Sequence, residues 1–265
     1  MSSIILSRGT YSLKISIPSL IFKARGGDLL PHPSHNPPPH RLTLRGNPDI
    51  NSRKKAIHGR TPTSTATTRV RAPARRVAAA GIGNVRVLQG DIFSLPFRKE
   101  AFDHLFVCFV LEHLPRPIEA LSILKEFVKP GGTITAIEGD HGSAYFHPDS
   151  PAARQAIGCQ VILQERVGGN AMIGRELYPL LVRAGFAEVS VSPRMVYADG
   201  SRPAMADGFT RRTFTAMIEG VREAALAAGL MGADEFDSGI RDLYRTAEED
   251  GVFCYTFFKA TGKNS

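Results

Sequence analysis

NVRVLQGDIFSLPFRKEAFDHLFVCFVLEHLPRPIEALSILKEFVKPGGTITAIEGD, residues 84–140, is the stretch that decides the fold. Three short apolar runs rich in Val, Ile, Phe and Thr alternate with polar turns and one amphipathic segment. That is the rhythm of an α/β unit with buried strands. The pattern predicts strands over 84–90, 103–109 and 133–138, and a helix over 117–128. Pro117 suits a first helical turn, while Ile118, Leu121, Leu124 and Val128 recur on one face. Pro130, Gly131 and Gly132 then read as the helix stop. Strands joined by a crossover helix pair in parallel, and ligands on such sheets bind beyond the carboxyl ends of the strands. The rule places Asp91, residues 108–113 and residues 138–141 on one rim.

Three segments in order carry a resemblance: GDIFSLPF at 90–97, FDHLFVCFVLEHLPRP at 102–117 and LKEFVKPGGTITAIEGD at 124–140. Together they resemble class I S-adenosylmethionine-dependent methyltransferases, in particular the small-molecule branch that includes the quinone-biosynthesis C-methyltransferases. The likeness runs from about residue 74 to the C-terminus. It implies an α/β, Rossmann-like sheet, mostly parallel with an antiparallel last strand, S-adenosyl-L-methionine as cofactor and a small-molecule methyl acceptor. By the same resemblance Asp91 matches the acid that accepts from the adenine amino group, with the Ile92 amide beside it. Cys108 and Phe109 stand where the family's backbone meets the methionine part of the cofactor. His113 and, in the active-rim loop expected over 138–150 after the fifth strand, Glu138, Asp140 and His141 are the candidates for catalytic contact with the acceptor, Tyr145 and His147 lying just beyond. Methyl transfer asks for proximity, alignment and desolvation, with a base only when the acceptor holds its proton. No fixed catalytic constellation is therefore expected.

The resemblance departs from the family ahead of Asn84. There the family has a first strand ending in a Gly-rich turn and a second ending in an acid for the ribose hydroxyls. Gly26-Gly27-Asp28 is too short for the turn, and Asp49 follows no strand pattern. The expectation is that strands one and two are absent or replaced. An alternative stays open beside methyl transfer: a truncated or non-catalytic methyltransferase-like protein without cofactor binding.

At 265 residues and 43% hydrophobic composition, the chain can hold one large α/β domain plus a tail. The net charge of +8 is unevenly spread: residues 1–76 carry 14 Lys/Arg against 2 Asp/Glu, and the remainder carries 19 against 23. The basicity belongs to the N-terminal segment, so a specific nucleic-acid function is not expected. Residues 1–73 hold 9 of the 18 prolines and are expected to be largely disordered, apart from an alternating apolar run over 11–21. Arg- and Ser-rich and poor in acids, the segment also suits an organelle transit peptide or sequence foreign to the fold. No apolar run approaches the length of a membrane span. Cys108, Cys159 and Cys254 lack metal-ligand or redox spacing, which fits a reducing, cytoplasmic compartment.

The expected domain occupies residues 74–265, with helical insertions at about 150–170 and 203–250. Helices are predicted over 152–166 and 173–184, the second stopped by Gly185, followed by a sixth strand over 187–197. The run VFCYTFFKAT, 252–261, is the expected last strand. Phe209, Phe214, Met217, Ile218 and Val221 mark one amphipathic helix, and Phe236, Ile240, Leu243 and Tyr244 another. They read as a lid over an acceptor with hydrophobic bulk or as an oligomer interface, and the sequence leaves the oligomeric state open.

Overall fold

The computed structural model describes residues 12–16, 19–23, 75, 77–88 and 91–265, with 12–16, 19–23 and 86–88 given as backbone. Seven strands make one sheet: β1 (Ser12–Ser16), β2 (Ser19–Lys23), β3 (Arg86–Leu88), β4 (Phe102–Cys108), β5 (Val128–His147), β6 (Ala187–Asp199) and β7 (Val252–Lys263). Their order is β3-β2-β1-β4-β5-β7-β6. β1 and β5 flank β4 in parallel, whereas β7 runs antiparallel to both β5 and β6. The antiparallel last strand is as the resemblance implies.

The positions between β3 and β4 are filled by a hairpin. β1 and β2 pair antiparallel with Ser16 opposite Ser19, and β2 pairs antiparallel with β3. The alternating run expected over 11–21 is thus met by two strands, Ser12–Ser16 and Ser19–Lys23. Strands one and two are replaced, and the replacement reverses β2 relative to its neighbours. The expected disorder of the rest of residues 1–73, and both Gly26-Gly27-Asp28 and Asp49, lie outside the described residues.

Residues 77–79 are helical and end at Gly81. The Gly81 amide reaches the Ala78 carbonyl and Ile82 reaches Val77, with Gly81 at φ +65°. This paired closure is the one a left-handed glycine permits. Helix α1 (Pro117–Glu126) starts at its proline and buries Ala120, Leu121 and Leu124. It stops earlier than its apolar periodicity predicts. Val128 already pairs with Phe102, so Pro130, Gly131 and Gly132 belong to the strand rather than to a helix stop. Helix α2 (Pro151–Arg166) is capped by Ser150, whose hydroxyl accepts from the Ala153 amide at 3.1 Å and donates to Asp242 at 2.6 Å. Helix α3 (Leu177–Arg183) precedes β6. Then come α4 (Ala206–Thr215), wound as a π-helix, and α5 (Ala233–Arg245).

Two cores lie on opposite faces of the sheet. Leu105, Val107, Ile134 and Ala260 pack against α1 and α3. Phe253 and Tyr255 pack with Phe214 and with Phe236, Ile240 and Leu243 of α5. Successive residues of a strand face opposite ways, which is why neighbouring positions of β7 serve different cores. Gly239 lets α5 close on the start of α2, because a Cβ there would stand 2.5 Å from the Ala152 carbonyl oxygen.

The largest departure from expectation is β5. Residues 138–150 read as an active-rim loop, yet the strand continues to His147, with a register shift against β7 between Asp140 and Tyr145. The polar residues carry the ladder across the shift. Ser143 Oγ donates to the Asp140 carbonyl at 2.7 Å and accepts from the Thr256 amide at 3.0 Å, while Asp140 Oδ1 accepts from the Gly142 amide.

β1 gives β4 its parallel neighbour through the register Ser12↔His104 to Ile15↔Val107. Deleting residues 1–73 should therefore leave a central strand with an unpaired edge. The expected result is a chain that aggregates or loses cooperative urea unfolding by circular dichroism; a soluble product with the native transition would contradict the pairing.

Candidate active site

β4 ends at Cys108, and the chain turns there through Phe109, a non-glycine residue at φ +54°. The Phe109 amide bonds the Ile137 carbonyl at 3.0 Å. The next two amides, Val110 and Leu111, both donate to Glu138 Oε1, at 3.1 and 3.0 Å. A carboxyl from β5 thus fixes the turn that begins the short helix Leu111–His113. Glu138 is fully buried and its Oε2 has no partner among the described residues. Burial, and secondarily the nearby Glu112 carboxylate, push its pKa up to about 8, against the opposing pull of the backbone amides. At neutral pH it is mostly a neutral acid.

Asp140 projects from the same face of β5 as Glu138 and is held by Arg175 in a two-point ion pair, Nε to Oδ2 at 2.8 Å and Nη2 to Oδ1 at 2.7 Å. His141 faces the other way. Its backbone amide bonds the Ala171 carbonyl, and its Nδ1 lies 2.9 Å from the Tyr255 hydroxyl. Its Nε2 is buried and has no partner among the described residues. Burial lowers the His141 pKa, so the ring is neutral at pH 7. Burial also raises the Tyr255 pKa, and that hydroxyl keeps its proton. Gly139 makes the contact possible, because a Cβ there would collide with the Tyr255 hydroxyl.

Gly139, His141 and Tyr255 border a cavity of about 330 Å³ beyond the carboxyl end of β4. Its walls are largely aromatic: Phe109 from the turn, Tyr255 and Phe257 from β7, Phe209 and Phe214 from α4, with Met217 behind them. Polar groups gather at Glu112, His113, His141, Gln160, Gln164 and Thr213. Gln164 Nε2 is committed to the Glu112 carbonyl, which fastens α2 to the turn.

The structure brings together only part of the expected site. His113 and His141 line the cavity, and so does Phe109. Glu138 and Asp140 do not: they leave β5 on the opposite face, where one holds the turn and the other holds Arg175. Cys108 is buried at the end of β4, and Ile92 belongs to the core beneath α1 and α3. Asp91 is exposed on a tight turn, its Oδ1 accepting from the Phe93 amide at 2.9 Å. Tyr255, Phe257, Gln160 and Gln164 were not singled out as site residues in the sequence. The signal available for two of them was alternation, since Phe253, Tyr255 and Phe257 fall on one face of a strand.

A methyltransferase domain family matches residues 52–136 of the chain. Over those residues, about a third of the chain, the protein is similar to methyltransferases. A Streptomyces fradiae protein encoded in transposon TN4556 is 30% identical over 138 residues, covering 51% of this chain and 39% of that one. A demethylmenaquinone methyltransferase of Geobacillus kaustophilus is 33% identical over 64 residues, covering 24% of this chain and 27% of that one. The chain spans well under half the length of these relatives. Among solved structures, the YcgJ protein of Bacillus subtilis is similar at a TM-score of 0.45 and 15% identity, covering 73% of this chain and 77% of that one. A Haemonchus contortus phosphoethanolamine N-methyltransferase 2, solved with S-adenosylhomocysteine, gives 0.40 and 16%, covering 72% and 40%.

The family's cofactor is S-adenosylmethionine, and the described residues fit it in part. An exposed carboxylate at Asp91 and the turn after Cys108 occupy the rim at which β3 and β4 end. Between β3 and β4 lie the antiparallel strands β1 and β2, and among the described residues no Gly-rich turn and no acid stands at their ends on that rim.

Glu138 gives a stability signature with a definite sign. Its pKa is raised from 4.5 to about 8 on folding, so its stabilising contribution is complete below pH 4.5 and lost as pH rises through 8. Glu138→Gln should flatten that loss while keeping the acceptor for Val110 and Leu111. Glu138→Ala should cost about 2–3 kcal/mol at pH 5 by stranding two buried amides, the difference from the native chain narrowing as pH rises through 8. Urea midpoints between pH 5 and 9 measure both.

Proposed function

We propose that the protein transfers a methyl group from S-adenosylmethionine to a small acceptor with an apolar, ring-like body. The observation that carries this reading is the cavity itself. It lies beyond the carboxyl end of β4, where Phe109, Glu112 and His113 of the family-matched residues border it, and combines aromatic walls with one buried imidazole nitrogen that has no partner among the described residues. The Geobacillus relative's name specifies demethylmenaquinone, and aromatic walls suit a flat ring of that general kind.

The cofactor, when bound, supplies an electrophilic methyl. Asp91, with the Ile92 amide beside it, is the proposed adenine contact, and Cys108 and Phe109 the proposed contacts to the methionine end. The remaining work falls to the cavity. Its aromatic walls exclude water and orient the acceptor. His141 removes a proton in the tautomer that carries hydrogen on Nδ1, donated to the Tyr255 oxygen, with the Nε2 lone pair left for the acceptor. His113 and the Glu112 carboxylate, 3.5 Å apart, border the same space and serve as polar contacts. A cytoplasmic setting suits the three free cysteines.

One observation favours a second reading, a relative that keeps the fold without binding cofactor: β1 turns back as a hairpin where a glycine-rich turn would otherwise cradle the methionine end. Isothermal titration with S-adenosylmethionine separates the two. Affinity in the micromolar range is expected, and no heat at millimolar cofactor would leave only the second reading. Asp91→Ala should weaken the affinity by about 2–10-fold, as the loss of one hydrogen bond does.

The base assignment has its own readout. His141→Ala should lower kcat by about 10²–10⁴-fold with cofactor affinity unchanged. Because burial lowers the His141 pKa from 6.5, activity should hold through pH 7 and fall only in more acidic solution. A flat profile into acid would remove His141 from that role.

A further inference from the structure

Beyond Asp140 the strands β5, β7 and β6 run on past α3, and this extension of the sheet is covered on one side. Phe146 and Phe253 belong to the second core, and Ala198 beside them is buried. The alternate residues project from the other face. Tyr145, Cys254 and Tyr197 stand side by side across the three strands, since Cys254 is opposite Tyr145 in one ladder and opposite Tyr197 in the other. Tyr145 is 62% exposed, Tyr197 41%, and Met195, one row earlier, 67%.

The patch continues onto the neighbouring helix. Arg175 of the short helix Ile173–Glu176 stands within electrostatic reach of Tyr145. Tyr178 and Val182 follow Arg175 at the spacings that share one side of a helix, and they are 56% and 45% exposed. Five of the nine exposed large apolar side chains among the described residues thus gather on this side of the molecule. Such clustering marks a contact surface, whereas single exposed apolar residues do not.

Size and charge specify the occupant. At these exposures the five side chains present an area of order 500 Å². A stable homodimer buries roughly 800 Å² per copy, about two-thirds of it apolar, so the patch supplies the apolar part of such an interface. Its charges also complement one another. The β5 side carries His147 and Arg175, whose ion pair with Asp140 uses Nε and Nη2 and leaves Nη1 for a further acceptor. The β6 side carries Asp199, whose Oδ1 holds Ser201 and leaves Oδ2. A two-fold axis lying between two such faces, above β7, sets the cationic side of one copy on the acidic side of the other. Edge-to-edge pairing through β6 is opposed by Pro193, which has no amide hydrogen to give.

We propose that this face docks a second copy of the chain about a two-fold axis passing over Cys254, the β5 side of each copy lying against the β6 side of the other. Light scattering after size-exclusion chromatography of the full chain at micromolar concentration should give twice the chain mass of 28.8 kDa. Met195→Glu combined with Tyr197→Glu should raise the dissociation constant by about 100-fold or more and return a monomer, because each copy would bury two unpaired charges. Tyr145→Glu, on a different strand, should do the same, and Met195→Leu should leave the dimer intact. Cys254 reports on the same surface. Cys108 and Cys159 are buried, so alkylation of Cys254 by N-ethylmaleimide, followed by mass spectrometry, should be slow in the native dimer and fast in the glutamate variants. A native chain of monomeric mass overturns the proposal. So does a dimer that persists in the glutamate variants, or a native dimer whose Cys254 is alkylated as fast as theirs.

Discussion

The loss of register between β5 and β7 at Asp140 to Tyr145 is the constraint on which the site depends. Before the shift, Ile134, Ala136, Glu138 and Asp140 share one face of β5 and Gly139 and His141 take the other. After it, Ala144 and Phe146 fall on the face of the second core. A bulge re-aims side chains without ending the strand. One strand can thus hold the turn after β4 from one side, line the cavity from the other, and still contribute to the packing under α2 and α5.

The two carboxyls on the hidden face act as fasteners. Glu138 joins β5 to the turn after β4, and Asp140 joins β5 to Arg175 in the short helix Ile173–Glu176. Gly174 brings that helix against the strand, where a Cβ would stand 2.7 Å from the Gly139 carbonyl oxygen. The cavity wall is therefore braced from behind at three successive positions of β5. The costs of burial differ between the two. Glu138 avoids the penalty for a buried charge by holding its proton, whereas Asp140 is met by a half-exposed guanidinium at two points.

Much of the architecture was legible in the sequence because apolar periodicity and punctuation agreed. β4, the start of α1 at Pro117, α2 and the position of the last strand follow from such signals, while the antiparallel direction of that strand is what the resemblance implied. The length of β5 was not legible, for a physical reason. Asp140, Gly142 and Ser143 look like loop residues, yet their side chains and amides replace the ladder bonds interrupted at the bulge. Reading that stretch as a loop grouped Glu138, Asp140 and His141 as one cluster, and the pleat of the strand separates them. The cavity was legible only in pieces: His113, His141 and Phe109 carried a chemical or motif signal, while Tyr255, Phe257 and the two glutamines of α2 carried a packing signal that becomes a site only once β7 and α2 are placed beside β5. The hairpin that replaces strands one and two was beyond sequence reading, since a single alternating run gave no sign of two antiparallel strands.

The unusual winding of α4 has a geometric outcome for the cavity. Phe209 and Phe214 are five positions apart, and in an ordinary α-helix their side chains would diverge by about 140° around the axis. The wider π winding, marked by the Ala216 amide reaching back to the Arg211 carbonyl and by Thr213 Oγ1 donating to the Gly208 carbonyl, brings residues five apart nearly into line. Both rings consequently meet the same ligand space from a single helix, and the spacing of that aromatic pair is set by backbone coiling rather than by a second structural element.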